Sequence, residues 1–296
     1  MWEELLQKIQ QADIKALARS ISLVENEVEG YDTFLQLLPV NKLDNIIGIT
    51  GPPGAGKSTL TDALIGELVA DGKKVAVLCV DPSSPFNLGA VLGDRIRMSE
   101  WYNTPSVFIR SLASRGSVGG LHPKIIEITD ILKVAGFDMI IIETVGVGQS
   151  EIEIAGLADV TIVVLVPESG DEIQTMKAGL MEIADIFVVN KSDRPGADAF
   201  VNNLRMMLAP AFHQREEEVP ILQTVASQKK GIRALKEKIY SHKSLQHTHR
   251  KKWLLTEKAY HLIKNRRMKD VDKLLLMNKI EAAGNDFNLY SFVNDY

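Results

Sequence analysis

Apolar positions fall along this chain in two alternating patterns. Short unbroken runs at Ile46 to Thr50, Val75 to Val80, Met139 to Ile142, Val160 to Val166, Ile186 to Val189 and Ile221 to Ala226 are rich in Ile and Val. Their length and β-branched content predict strands buried on both faces. Between them lie stretches with helical spacing, such as Leu60 to Leu68. Strands alternating with helices predict an α/β fold, a mostly parallel sheet covered by helices on both faces. Before this core, Leu5, Ile9, Ile14, Leu17 and Ile21 recur at helical intervals and predict a helical arm over residues 1–40 that packs on the core. After it, residues 241–296 carry Trp253, Leu254, Leu255, Leu262, Ile263 and Leu274 to Leu276 among many charges, the pattern of amphipathic helices. The core is assigned to residues 41–240.

Candidate chemistry sits where strands end. Directly after the first apolar run comes Gly51-Pro52-Pro53-Gly54-Ala55-Gly56-Lys57-Ser58-Thr59, followed by a helix. Strand, glycine-rich loop and helix form the context a P-loop requires. Glycines let successive backbone N–H groups converge on a phosphate, and the helix N-terminus adds partial positive charge. Lys57 would reach the β- and γ-phosphates, and the Ser58 hydroxyl would ligate Mg²⁺. This marks a binder of nucleoside triphosphates.

The base is read from Asn190-Lys191-Ser192-Asp193 at the end of a later strand. A carboxylate at Asp193 can accept from both the N1–H and the exocyclic amine of guanine, whereas adenine leaves it unmatched. Asn190 would brace the loop, and the Lys191 stem would cover one face of the base. The reading is therefore GTP and GDP.

Two further acidic strand ends point to the same sheet edge. Asp138 to Glu143 delivers Glu143, with Gly146 three positions on, the arrangement needed to hold Mg²⁺ or its water and to touch a γ-phosphate. Most GTPases use Asp here, so Glu143 is a departure of equal charge and longer reach. Gln149 lies two residues beyond the water-orienting position of small signalling GTPases. The run ending in Asp81 would bring a second carboxylate to the tip of its strand. Ser83 to Pro105 lacks a period and predicts a switch loop, containing Asp94 and the arginines Arg95 and Arg97. Those two, with Arg110 and Arg115, are the candidates for a charge-stabilising arginine, and the sequence does not choose among them.

Several runs together resemble the MeaB/ArgK family of GTPases. They are Val80-Asp-Pro-Ser-Ser-Pro-Phe86, Leu92-Gly-Asp-Arg-Ile-Arg-Met98, Phe108-Ile-Arg-Ser111, Arg115-Gly-Ser-Val-Gly-Gly-Leu121, Glu143 to Glu151, Gly170-Asp-Glu-Ile-Gln174 and Gly179 to Lys191. The resemblance spans roughly residues 15–240. It implies a chaperone for cobalamin-dependent acyl-CoA mutases such as methylmalonyl-CoA mutase, in which GTP binding and hydrolysis gate adenosylcobalamin loading and protection. By motif it makes Ser58, Asp81, Asp94 and Glu143 the Mg²⁺ and water ligands, and Lys57, Asp81, Asp94 and Glu143 the catalytic set. It makes Glu168 to Lys177 a client-facing loop, and Val225-Ala226-Ser227 the loop that touches guanine O6 through backbone N–H. It also implies a homodimer joined by C-terminal helices. The chain departs from the family at Asn87-Leu88-Gly89, where a small hydroxyl residue and paired glycines are usual.

Charge and composition narrow the choice of function. The chain has 34 Lys and Arg against 38 Asp and Glu, a net charge of −4. Residues 241–280 hold 11 Lys and Arg against 3 Asp and Glu, which leaves −12 to the rest. Without a nucleic-acid-reading module, that basic stretch reads as a solvated face or a complement to acidic surface, so no nucleic-acid partner is expected. Cys79, the one cysteine, excludes a disulfide scaffold and a Cys-based zinc site. The mixed charges of the N-terminus and the lack of a long apolar run predict a cytoplasmic protein without a membrane partner. A nickel-inserting GTPase would be expected to carry a Cys/His metal-loading cluster, and none precedes the P-loop. A P-loop kinase, or a GTP-binding module without turnover, would carry the same phosphate loop, and the sequence leaves both open.

Overall fold

The computed structural model describes residues 1–39, 45–81, 98–113, 121–144, 153–169, 183–208, 218–244, 248–284, 287–294 and 296. Its centre is a parallel sheet of seven strands: β1 (Ile46–Thr50), β2 (Val75–Asp81), β3 (Val107–Ala113), β4 (Met139–Glu143), β5 (Val160–Leu165), β6 (Ile186–Val189) and β7 (Ile221–Gln223). They lie side by side in the order β3-β2-β4-β1-β5-β6-β7. Every residue of β1, β4, β5 and β6 is buried, as expected of parallel strands with helices on both faces.

Alternation along each strand divides the core. Ile47, Ile49, Val77, Cys79, Met139 and Ile141 face α4 (Lys57–Ala70), together with Leu60, Leu64 and Leu68 of that helix. Ile46, Leu78, Ile140 and Ile142 face the opposite way. There they meet the arm helices α1 (Trp2–Gln10), α2 (Ile14–Glu25) and α3 (Tyr31–Gln36), and α5 (Ile125–Val134). On the far side of β5 and β6, Leu165, Phe187 and Val189 pack against Phe200 and Leu204 of α6 (Ala197–Leu208). Helix α7 (Ile232–Ser244) lies along α4 and adds Leu235 and Ile239 to that core.

The arm begins as two helices joined by a turn. Ala12 takes a left-handed φ of 62°, and Asp13 then caps α2 by accepting from the N–H groups of Lys15 and Ala16 at 2.8 and 3.0 Å. Leu5, Ile9, Leu17 and Ile21 are buried as the spacing implies, whereas Ile14 at the start of α2 is exposed. Trp2 stacks on Phe34 at a centroid distance of 4.9 Å and closes the arm on itself.

Two strands differ from expectation. The run at Ile221 to Ala226 belongs to the sheet only as far as Gln223; Val225 then bridges Lys230 around a 3₁₀ turn at Ala226–Gln228. Edge strand β3 has no apolar run to announce it, because Arg110 and Ser111 interrupt its pattern. The C-terminal region forms α8 (Thr248–Arg267), α9 (Lys273–Ala283) and α10 (Leu289–Val293). Among the described residues no helix is long and apolar enough to cross a membrane.

Candidate nucleotide site

The P-loop strand β1 sits between β4 and β5 at the centre of the sheet, so three strand ends converge beside residues 51–56. The loop's backbone explains its glycines. Gly51 has φ 136°, and a Cβ there would lie 2.1 Å from the Val164 carbonyl oxygen. Gly56 has φ 87° just before α4, and its Cβ would lie 2.4 Å from Asn190 Nδ2. Any larger residue at either position meets both an unfavourable φ and a clash. Lys57 is buried, and its ammonium donates to the carbonyls of Gly51 and Pro52 at 2.9 and 3.1 Å. It thus draws the loop closed over the start of α4.

Glu143 shares the parity of Met139 and Ile141 on β4, so it projects from the strand end toward α4. It is only 3 % exposed. The Ser58 hydroxyl donates to its Oε1 at 2.5 Å, and Thr61 Oγ1 lies 2.9 Å from its Oε2. One helical turn separates Lys57 from Thr61, whose hydroxyl also lies 3.0 Å from the Lys57 carbonyl. A buried carboxylate is thereby held by two hydroxyls at the mouth of the loop, an all-oxygen set of the kind that hard divalent cations select.

Asn190 ties the opposite wall together. Its Nδ2 donates to the Ala55 carbonyl at 3.0 Å, and its Oδ1 accepts from Thr224 Oγ1 and the Ala226 N–H, both at 3.1 Å. One side chain thus joins the P-loop, the end of β6 and the 224–226 turn. Lys191 adopts a left-handed φ of 55°, unusual for a residue with a side chain. Its ammonium reaches back to the Gly54 carbonyl at 2.7 Å, laying the aliphatic stem across the loop. Asp193 is exposed two residues further on. Next to it, Arg194 bonds Glu168 at 2.5 Å and holds that exposed carboxyl below its ordinary pKa.

A family model described as methylmalonyl Co-A mutase-associated GTPase MeaB matches residues 17–281. The chain belongs to the MeaB family. A Pyrococcus horikoshii protein named as a GTPase is 44 % identical over 289 residues, which cover 96 % of this chain and 90 % of that one. The fused isobutyryl-CoA mutase of Geobacillus kaustophilus is 36 % identical over 237 residues, 75 % of this chain but 22 % of that protein. The crystal structure of a LAO/AO transport system kinase superposes with a TM-score of 0.70 at 27 % identity, covering 99 % of this chain and 95 % of that chain.

This MeaB-family GTPase brings Lys57, Ser58, Thr59, Glu143, Asn190, Lys191, Asp193 and the 225–227 turn to one edge of the sheet. Asp81 is the last residue of β2, in register with Ala113 of β3. Asp94, Gly146, Gln149 and most of Glu168 to Lys177 lie outside the described residues, as do Arg95, Arg97 and Arg115. Arg110 is engaged elsewhere: its guanidinium bonds Glu25 and, at 3.0 Å, the Ser22 hydroxyl of α2. Ala226 donates its N–H to Asn190, so in this arrangement that N–H is directed at the loop's own brace. Thr61 and Thr224 were not read from the sequence. Thr61 stands four residues beyond Lys57, on the helix face that the P-loop turns toward β4, and that spacing is the one signal that could have found it.

Proposed function

We propose that this MeaB-family GTPase binds GTP with Mg²⁺, hydrolyses it by in-line attack of water on the γ-phosphate, and uses the change to gate adenosylcobalamin loading or protection of a cobalamin-dependent acyl-CoA mutase. The observation that carries the nucleotide reading is the bracing of the P-loop by Asn190 and Lys191. It supports a base pocket in which the Asp193 carboxylate would take the two donors of guanine. Lys57 would exchange two loop carbonyls for the β- and γ-phosphates, a stronger charge-assisted pairing. With the P-loop amides it would stabilise charge on the transferred phosphoryl group.

The oxygen donors at this edge fit Mg²⁺. Ser58 and Glu143 would hold it, with Asp81 and Asp94 as the further carboxylates. When bound, the ion supplies neutralisation of the charge shared between the β- and γ-phosphates. Thr61 would keep Glu143 oriented toward Ser58 throughout. The mutase partner is supported by the family's description and by the relative in which a similar segment is fused to isobutyryl-CoA mutase.

A homodimer is part of the same reading. Leu255, Leu274, Leu275, Tyr290 and Val293 of the three C-terminal helices are all more than half exposed. Apolar surface of this kind marks a contact face, and a second copy of the chain supplies one.

The deciding experiment measures GTP and ATP hydrolysis by the full chain, with and without an adenosylcobalamin-dependent acyl-CoA mutase from the same organism. Turnover of GTP but not ATP, rising when the mutase is added, is the expected result. GTP turnover indifferent to every such mutase would remove the partner and leave the GTPase.

A further inference from the structure

The turn Ile154–Gly156 lies between the P-loop strand β1 and the C-terminal extension and touches both. On its inner side it is lodged against the P-loop strand. A Cβ on Gly48 of β1 would fall 2.5 Å from Ile154 Cγ1 and 3.0 Å from Ala158 Cβ, so the turn fills the space that Gly48 leaves open. Gly48 is in register with Ile142 of β4, one residue before Glu143. The chain that leaves the sheet at Thr144 is the chain that arrives at Glu153.

On its outer side the same turn carries α8. Leu254 of that helix is buried, and a Cβ on Gly156 would lie 3.5 Å from Glu257 Cβ. Leu254, Glu257, Lys258 and His261 share one helical face. Among the described residues His261 Nε2 is buried without a hydrogen-bond partner, while burial pushes the Glu153 carboxyl above its ordinary pKa with Lys264 near enough to oppose the rise. Helices α9 and α10 have no buried residue. The link from Lys269 to Glu27 at 2.8 Å is an exposed ion pair, and such pairs hold little. Among the described residues, α8 on this turn is a packed attachment of the extension.

We propose that α8 transmits the state of the bound nucleotide to the C-terminal extension, with the turn Ile154–Gly156 as the piece that moves it. The inference rests on the guanine-nucleotide reading of the site and adds its regulation. Close-packed contacts pass a displacement on instead of absorbing it. A shift of β1 reaches α8 through Ile154 and Gly156. The opposite face of α8, with Trp253, Leu255, Tyr260 and Ile263 exposed, then presents a different surface in each nucleotide state.

Hydrogen exchange of residues 252–267 in the full chain, loaded with GDP or with a non-hydrolysable GTP analogue, tests this. The expected result is an exchange rate that differs by about fivefold or more between the two states, the scale of ordinary allosteric coupling. Gly156→Leu pushes a side chain into Glu257, and His261→Ala removes the imidazole. Each is expected to abolish the difference while nucleotide affinity, measured by calorimetry, stays within about twofold. Equal exchange in both states of the wild-type chain would overturn the proposal. So would a difference that survives both substitutions, because it would travel by another route. A chain that shows no guanine-nucleotide binding in the calorimeter would instead remove the parent reading, and this inference with it.

Discussion

Helices α4 and α9 are both apolar on more than one face, and they end in opposite situations. Leu60, Leu64 and Leu68 of α4 are fully or almost fully buried between β1, β4 and α7. Leu274, Leu275 and Met277 of α9 are exposed, Leu275 by 58 %. A helix that is apolar all round must be covered, and for α4 the sheet and α7 provide the cover. For α9 nothing among the described residues does. The contrast separates a helix that completes this fold from one that no described residue covers.

The same leucine-to-alanine change at the two places gives the sharpest test. Leu64→Ala is expected to cost about 2–5 kcal/mol of stability, read as a lower urea midpoint. Leu275→Ala should change the stability of the dilute monomer by no more than about 0.5 kcal/mol. Comparable losses at both sites would mean that α9 is buried within the monomer after all. Asn190→Ala, which leaves the Ala55 carbonyl, Thr224 and the Ala226 N–H without their shared partner, should cost about 3 kcal/mol. Its urea midpoint should fall nearly as far as that of Leu64→Ala.

Asp193 offers the converse case, an exposed residue with a large functional effect. Asp193→Asn should leave the urea midpoint in place and weaken GTP roughly a hundredfold, about 2.7 kcal/mol, while relaxing selection against other purine triphosphates. Unchanged GTP affinity would remove the guanine assignment. Leu275→Glu should likewise leave the dilute chain folded. Light scattering at micromolar concentration should nonetheless find a monomer where the wild type is a dimer. A wild-type chain that is monomeric at every concentration would end the dimer reading.

Much of this molecule is legible without coordinates, for a physical reason that differs from element to element. The P-loop can be read because its function is local: glycines, lysine and hydroxyl act within a few consecutive residues, between a strand and a helix. Strands β1, β2, β4, β5 and β6 can be read because parallel strands buried on both faces need continuous apolar runs. Strand β3 escapes because it lies at the sheet edge, where Arg110 can turn toward Glu25 and Ser22 of the arm.

By itself, the sequence determined an α/β nucleotide-binding core, the choice of guanine as its expected base, and a helical region at each end. Those properties reside in contiguous motifs and in the period of apolar residues, both of which survive in a linear string. Only the tertiary structure decided that Thr61 and Ser58 jointly hold Glu143, and that Asn190 ties the P-loop to the 224–226 turn. It alone seated α8 on the turn beside the P-loop strand. Such contacts join residues far apart along the chain. Their partners are set by the order in which strands lie in the sheet, which no short stretch of sequence encodes.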